Sequence, residues 1–322
     1  MIVGKKILIF GGTGSLGNAF VKRYLERNVI VNYSRSENLH WKMQLKYKSN
    51  NLKFIIGDIR DYGRVEEALI RENPHIVIIA AALKHIDRCE FAICECIATN
   101  FNGPNNVLNV TEKHKNILTN LETVCLVSTD KACQAISSYG AAKFLAERSI
   151  IEKSYYSNSV KYVCIRYGNV INSRGSILKI LKKQGLDPNV KEFCLTHEKM
   201  TRFWMTLDTS LDLLEHAIVN GESGDVVVPK LISINIKDLF EIYSQKYGKP
   251  IIVTGLRSSE KLLESLISPT DSLSIIKNGD YYHIKPHYKK IVHNIEPTEY
   301  SSNLNPLSKT QLEDYLNYLN LL

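Results

Sequence analysis

The 322-residue sequence contains no run of about 18 apolar residues, so no helix that spans a bilayer is expected from it. Blocks of five or six like charges are also absent, which argues against a nucleic-acid tail. No internal repeat or low-complexity tract appears. The first apolar stretch, Ile7-Leu8-Ile9-Phe10, is short and ends in glycines, too short for the core of a signal peptide. The seven cysteines are odd in number and scattered, which suits free thiols in a reducing cytoplasm. Cys89, Cys94 and Cys96 lack a second pair at zinc spacing, which Cys125 and Cys133 do not supply. No metal is expected, and the nine histidines do not suggest a hydrolytic metal centre.

What is present is a chain 44% hydrophobic and 23% charged, rich enough in apolar residues for real cores and too rich for disorder. Lysine and arginine number 41 against 33 acidic residues, a formal charge of +8. That excess fits nucleic acid, an acidic membrane surface, phosphorylated small ligands or an ordinary solvated lysine surface.

Short β-branched runs recur at residues 6–10, 29–33, 53–56, 76–80, 123–127 and 162–165. They are apolar throughout rather than alternating, as strands buried on both faces are. Helical patterns fall between them at 18–27, 62–72 and 104–114. Strand and helix in turn predict an α/β protein with a Rossmann-type, doubly wound parallel sheet. Past about residue 175 the rhythm breaks: helices are expected over 178–183, 207–220, 236–247 and 308–321, with strands at 226–228 and 281–283. The expected division is a dinucleotide-binding domain over 1–175, with 207–230 able to pack back onto it. Residues 176–322 would form a smaller α+β region, mainly for substrate.

Gly11-Gly12-Thr13-Gly14-Ser15-Leu16-Gly17 joins the first strand to a helix. Glycines at this spacing allow a tight turn, close approach to a pyrophosphate and close helix–sheet packing, and the helix N-terminus offers free N–H groups to the anion. At the end of the second strand, where an acidic residue would select NAD, stands Tyr33-Ser34-Arg35-Ser36. An arginine with flanking hydroxyls suits the 2′-phosphate of NADP, while Glu37 keeps NAD open. Asp58 either accepts from the adenine amino group or is a surface-turn residue.

The fifth strand ends in Ser128-Thr129-Asp130-Lys131, and Tyr139 and Lys143 follow at helical i, i+4 spacing. Open α/β sheets bind ligands at the carboxyl ends of their strands. Lys143 would hold the cofactor ribose and lower the pKa of Tyr139, since a phenol near pKa 10 is a poor base at neutral pH.

These residues resemble the extended short-chain dehydrogenase/reductase family, whose members act on nucleotide sugars. Longer segments resemble its inverting UDP-N-acetylglucosamine 4,6-dehydratases. They are 80–86, 128–132, 166–170 with 173–176, 200–206, Gly255-Leu256-Arg257-Ser258-Ser259-Glu260-Lys261-Leu262, and Tyr300-Ser301-Ser302. They follow one another in the expected order over nearly the whole chain. The inverting group carries Asp-Lys where C5-retaining dehydratases carry Asp-Glu, and Asp130-Lys131 stands here.

The resemblance implies oxidation at C4, with Tyr139 taking the O4 proton and Thr129 beside it. Loss of water across C5 and C6 would follow, with Lys131 as base through a lowered pKa and Asp130 as acid. Return of the hydride to C6 and reprotonation of C5 from the opposite face would complete the turnover. Cofactor contacts are implied for Gly11, Thr13, Gly14, Ser15, Leu16 and Gly17, for Ser34, Arg35 and Ser36, and for Asp58 and Ile59. Ala80, Ala81, Ala82, Lys84, Ser128, Tyr139 and Lys143 complete that set. Lys84, Asn169, Arg257 and Glu260 are the implied contacts to a UDP-sugar. Gln134-Ala135 and Ser258-Ser259 depart from the family's Asn-Pro and Pro-Gly, and Asp87 stands where it has proline.

Expected partners are thus a UDP-sugar and NADP, without nucleic acid or membrane, in a cytoplasmic homo-oligomer of a dimer or more. The sugar, N-acetylglucosamine or glucose, stays open. So do a UDP-sugar 4-epimerase, a C5-retaining UDP-glucose dehydratase and a non-catalytic NADP-sensing regulator.

Overall fold

In the computed structural model, which describes residues 1–289 and 296–322, strand and helix alternate through the first half of the chain. β1 (Lys6–Phe10), α1 (Ser15–Tyr24), β2 (Val29–Ser34), α2 (Glu37–Tyr47), β3 (Leu52–Ile56), α3 (Tyr62–Glu72) and β4 (Ile76–Ile79) come first. After α4 (Ile86–Phe91), α5 (Ile93–Ile97) and α6 (Gly103–Lys113) come β5 (Thr123–Val127), α7 (Ser138–Tyr156) and β6 (Lys161–Ile165). The next elements are β7 (Asn169–Val170), α8 (Ile177–Leu186), β8 (Phe193–Leu195), β9 (Thr201–Met205), α9 (Leu207–Asn220), β10 (Val226–Pro229), β11 (Ile232–Asn235) and α10 (Ile236–Tyr247). β12 (Ile251–Val253), β13 (Ser265–Ile267), α11 (Pro269–Ser272), β14 (Ile275–Asn278) and β15 (Tyr281–Ile284) precede β16 (Tyr300–Ser301), β17 (Pro306–Leu307) and α12 (Lys309–Tyr318).

Nine strands form the main sheet in the order β14-β15-β10-β6-β5-β4-β1-β2-β3. From β3 to β10 neighbours run parallel, and β15 and β14 close that edge antiparallel. Side chains alternate between two cores: Leu8, Phe10, Val31, Val77, Ile79, Val124 and Leu126 face one side. Ile7, Ile9, Ile30, Ile78, Cys125, Val163 and Ile165 face the other. Each such side chain stabilises the fold by roughly 1.5–3 kcal/mol, which is why the runs are apolar throughout.

Strand order reverses between β1 and β4, so their carboxyl ends part and leave a crevice there. The chain beyond residue 175 returns to this sheet with β10, β14 and β15, and α9 ties to α1 through Arg23 with Asp208 and Asp212. Pro229, expected just past a strand, is instead the last residue of β10, at its end opposite Tyr281.

A third core, with Leu178, Phe193, Trp204, Phe240 and Leu312, lies under a four-stranded sheet of order β17-β11-β9-β7. The pairs β12-β8 and β13-β16 complete the strands described. Among the described residues no helix is long and apolar enough to cross a membrane. All seven cysteines are free thiols. His283 and His287, four apart, lie at and beyond the end of β15 rather than on a helix.

Candidate active site

Beyond β1 the chain turns sharply at Gly11, whose φ of +87 favours glycine. A Cβ there would lie 2.7 Å from the Ala81 backbone, so the end of β4 packs directly on the turn. A Cβ on Gly17 would lie 2.1 Å from the Gly12 carbonyl, which is how close α1 comes to the loop. Gly14 is more open, since an added Cβ would meet only the Gly11 carbonyl, at 3.3 Å. Gly14 is also the N-cap of α1 and provides no capping side chain, so the first N–H groups of the helix stay free for an anion. That cradle fits a pyrophosphate. Ser15 and Leu16 open α1, and the Ser15 hydroxyl accepts from the Arg174 N–H at 3.2 Å.

Thr13 donates to the Ser34 hydroxyl at 3.1 Å, and Ser34 lies 2.7 Å from Nε2 of buried His40. Burial, opposed by Glu37, lowers the His40 pKa. Ser36 caps α2 by accepting from the Leu39 N–H, so its hydroxyl already has a partner. Arg35 is largely exposed and stands 3.8 Å from Asp58. The Asp58 carboxylate is held by Arg60, 2.7 Å away, which keeps its pKa below the usual range against partial burial. Ile59 is buried beside Gly103. Ala80 donates to the Phe10 carbonyl, and Ala81 and Ala82 lead to Leu83, gripped at both backbone groups by the Asn100 side chain at 2.8 Å.

At the end of β5, Ser128 donates from its N–H to Ile165, and Asp130 from its N–H to Tyr167. Asp130 is fully buried; its Oδ1 accepts from the Thr129 hydroxyl at 2.9 Å and from Lys131 Nζ at 3.0 Å. Lys131 Nζ also lies 3.3 Å from Oε1 of Glu264 and 3.4 Å from Oδ1 of Asn169. Three buried oxygens here have no hydrogen-bond partner: Ser128 Oγ, Asp130 Oδ2 and Glu264 Oε2. Such groups in a folded protein call for an explanation, and a polar ligand bound at this end of β5 would supply one.

The charge state of Lys131 corrects the expectation from sequence. Burial pulls its pKa down, but Asp130 and then Glu264 outweigh that, and the net shift is upward. Lys131 therefore rests as an ammonium.

Ser137 caps α7, which carries Tyr139 and Lys143 on its buried side. A Cβ on Gly140 would lie 2.2 Å from the Lys131 carbonyl, so only glycine lets the helix start this close to the Asp130–Lys131 loop. Burial pushes the Tyr139 phenol up to about 12, against Lys131 and a hydrogen bond to Thr129. The cation chiefly opposing burial is thus Lys131 rather than the expected Lys143. Lys143 donates to the Val127 carbonyl at 2.6 Å, and burial lowers its pKa.

Lys84 reaches the Arg174 carbonyl, on the loop that also meets Ser15. Asn169 lies at Lys131, whereas Arg257 is exposed and Glu260 half-buried, bonded to each other. The Arg257 N–H donates to Glu260 and the Glu260 N–H to the Arg257 carbonyl. Two of the family departures fall where backbone is left-handed: Gln134 has φ 49 and Ser259 φ 64.

Glu264, His40 and Asn100 are the residues that sequence reasoning missed. Glu264 stands two residues beyond the Gly255–Leu262 segment, the only signal that pointed toward it.

The chain matches the family described as "Polysaccharide biosynthesis protein" over residues 7–286. It is 34% identical over 296 residues to the UDP-N-acetylglucosamine 4,6-dehydratase (inverting) of Campylobacter jejuni subsp. jejuni serotype O:23/36 (strain 81-176), covering 90% of this chain and 86% of that protein. To the UDP-glucose 4-epimerase of Rickettsia canadensis (strain McKiel) it is 38% identical over 299 residues, 88% of this chain and 84% of that one. Among solved structures, Pen from Bacillus thuringiensis matches with a TM-score of 0.90 at 30% identity, over 99% of both chains.

Proposed function

The chain belongs to the polysaccharide biosynthesis protein family, and from that premise we propose that it is a UDP-N-acetylglucosamine 4,6-dehydratase that inverts C5 and uses NADP. The observation that carries this reading is the buried Asp130–Lys131 pair with Tyr139 beside it. Removing water between C5 and C6 requires a base for the C5 hydrogen and an acid for the departing hydroxyl. A 4-epimerase needs neither.

The cofactor would lie along Gly11–Gly17 with its 2′-phosphate near Ser34, Arg35 and Ser36, and its adenine near Asp58 and Ile59. Ala80–Ala82, Lys84, Ser128 and Lys143 would line the reach toward the sugar. When bound, it supplies a hydride acceptor for C4 and a hydride donor for C6.

Tyr139 takes the O4 proton as its phenolate, and once Asp130 has given a proton to the departing hydroxyl, that proton passes through the Thr129 hydroxyl to Asp130 and restores the site. The resting pair offers an ammonium acid in Lys131 and a carboxylate base in Asp130. One proton passed across their 3.0 Å contact exchanges those roles, and the arrangement expected from sequence is then reached. Lys84 and Asn169 would meet the sugar end of the substrate, and Arg257 and Glu260 its UDP. The free thiols suit a reducing cytoplasm. Exposed Phe91, Ile93, Phe144 and Leu145, on α4, α5 and α7, suit pairing of two copies.

The name of the Rickettsia relative favours a second reading, a UDP-sugar 4-epimerase. Incubation with UDP-N-acetylglucosamine and with UDP-glucose in deuterated water, read by mass and NMR, separates the two. The expected product has lost water, carries deuterium at C5 and is inverted there. A 4-epimer without deuterium overturns the proposal, a C5-retained product corrects its stereochemistry, and no turnover with either sugar leaves the regulator.

A further inference from the structure

We propose that Glu264 is the positioning residue of the acid–base pair, aiming the Lys131 ammonium and setting the pH at which it titrates. The effect on turnover rests on the dehydratase reading above; the effect on Lys131 itself does not.

Glu264 stands just ahead of β13 and is 2% exposed. Its backbone is clamped twice by Ser302, whose hydroxyl accepts from the Glu264 N–H at 3.0 Å and whose N–H donates to the Glu264 carbonyl at 2.8 Å. That hydroxyl lies 2.7 Å from Thr201 on β9. The carboxylate is therefore delivered to Lys131 by a fixed frame, not by a flexible loop.

Two carboxylates share one ammonium, with Asp130 at 3.0 Å and Glu264 at 3.3 Å. Around Lys131 stand Asp130 and Thr129 from its own loop, Tyr139 from α7, Asn169 from β7, Arg202 from β9 and Glu264. Around Glu264 stand Lys131, Arg202 and Lys261, the last two each 3.9 Å away. Arg202 is tied to the carbonyls of Thr201, Lys261 and Leu262, and Lys261 to that of Cys133. These two cations belong to the frame, while Lys131 bonds only to side chains.

When Asp130 takes up a proton it stops holding Lys131 by charge. Glu264 is then the carboxylate that still accepts from the Lys131 amine and keeps it in place. When Lys131 gives up its proton, Arg202 and Lys261 still balance Glu264, so the buried carboxylate is never left alone. An uncharged amide at this position would leave Lys131 with one anchor and a lower affinity for its proton.

The test uses full-length Glu264→Gln and Glu264→Asp. Lys131 is titrated by NMR on isotope-labelled lysine side chains and assigned with Lys131→Met. In Glu264→Gln the Lys131 transition is expected to fall by about one pH unit or more, with partial recovery in Glu264→Asp. Deuterium uptake at C5 is expected to drop at least about tenfold, while substrate KM and the first hydride transfer, read as reduced nicotinamide, change by less than about twofold. An unmoved Lys131 titration overturns the proposal. So does a parallel loss of hydride transfer and C5 exchange, which marks a merely structural residue. If Glu264→Gln does not fold, Glu264→Asp carries both readouts by its shortened reach. Should the wild type take up no deuterium at C5, the dehydratase reading fails and the lysine titration still judges Glu264.

Discussion

Two buried charge clusters lie at the ends of neighbouring strands, one past β5 and one at the end of β6. In the second, Arg166 holds Glu147 through Nε at 3.2 Å and a terminal nitrogen at 2.7 Å. Its other terminal nitrogen reaches the Leu266 carbonyl and Asp271, each at 2.9 Å. Every oxygen and nitrogen this requires has a partner, and the arginine joins α7, β6, β13 and α11 into one body. The cluster at Lys131 has the same ingredients and leaves Ser128, Asp130 and Glu264 each with an unpartnered oxygen. Saturation marks a structural brace; unpartnered polar atoms mark a site prepared for a ligand.

Lys131→Met breaks the contrast most visibly: turnover of the sugar nucleotide should fall about 10³-fold, with a smaller loss of thermal stability than at Arg166. Arg166→Met is the converse. Leaving Glu147 buried without its partner should cost about 3–5 kcal/mol in urea unfolding, while the protein that stays folded keeps turnover within about tenfold.

Arg35 belongs to neither cluster and sharpens the comparison as a solvated charge. Arg35→Ala should weaken NADP binding relative to NAD about tenfold in a fluorescence titration, with the melting temperature unchanged.

Asp225 gives an intermediate case, buried with His283 and Lys285 each at 2.9 Å and one oxygen unpartnered. Nε2 of His283 lies 2.9 Å from that of His216, and burial together with His283 lowers the His216 pKa. The folded chain then binds fewer protons than the unfolded chain just below about pH 6.5, so stability falls as pH drops through that window and levels out once the folded form also titrates. Urea midpoints taken from about pH 7 to about pH 5 should show this, and His216→Gln should flatten the slope.

Sequence reasoning reached the parts of the molecule whose causes are local. β1, β2, β4, β5 and β6 are legible because each is an apolar run buried on both faces, while β3 is an edge strand whose Lys53 and Ile56 are exposed, and Gly11–Gly17 is legible because its spacing directly reflects backbone crowding. α2 is hidden because only His40 and Met43 among its residues are buried, which leaves no apolar period to detect. Asp130, Lys131 and Tyr139 stand close together in sequence and meet in space, and their grouping was legible for that reason, whereas Lys143 turns to the Val127 carbonyl. The charge on Lys131 was misread because two carboxylates, the adjacent Asp130 first and then Glu264 from far along the chain, outweigh its burial. Arg202, in a strand otherwise apolar or small, likewise makes sense only once the Glu264 frame is seen.

The Ser302–Thr201–Glu264 frame also bears on when the enzyme can first work during synthesis. The bond from Lys261 to Cys133 spans 128 positions, and that from Thr201 to Ser302 spans 101. Ribosomes deliver the N-terminal half first, so the glycine loop and β1 to β6 can assemble while Glu264 is still untranslated. A nascent chain of this kind would hold its cofactor cradle early and lack the second anchor of Lys131 until Ser302 had emerged. Nucleotide binding and proton transfer would thus switch on at different moments in the life of each molecule.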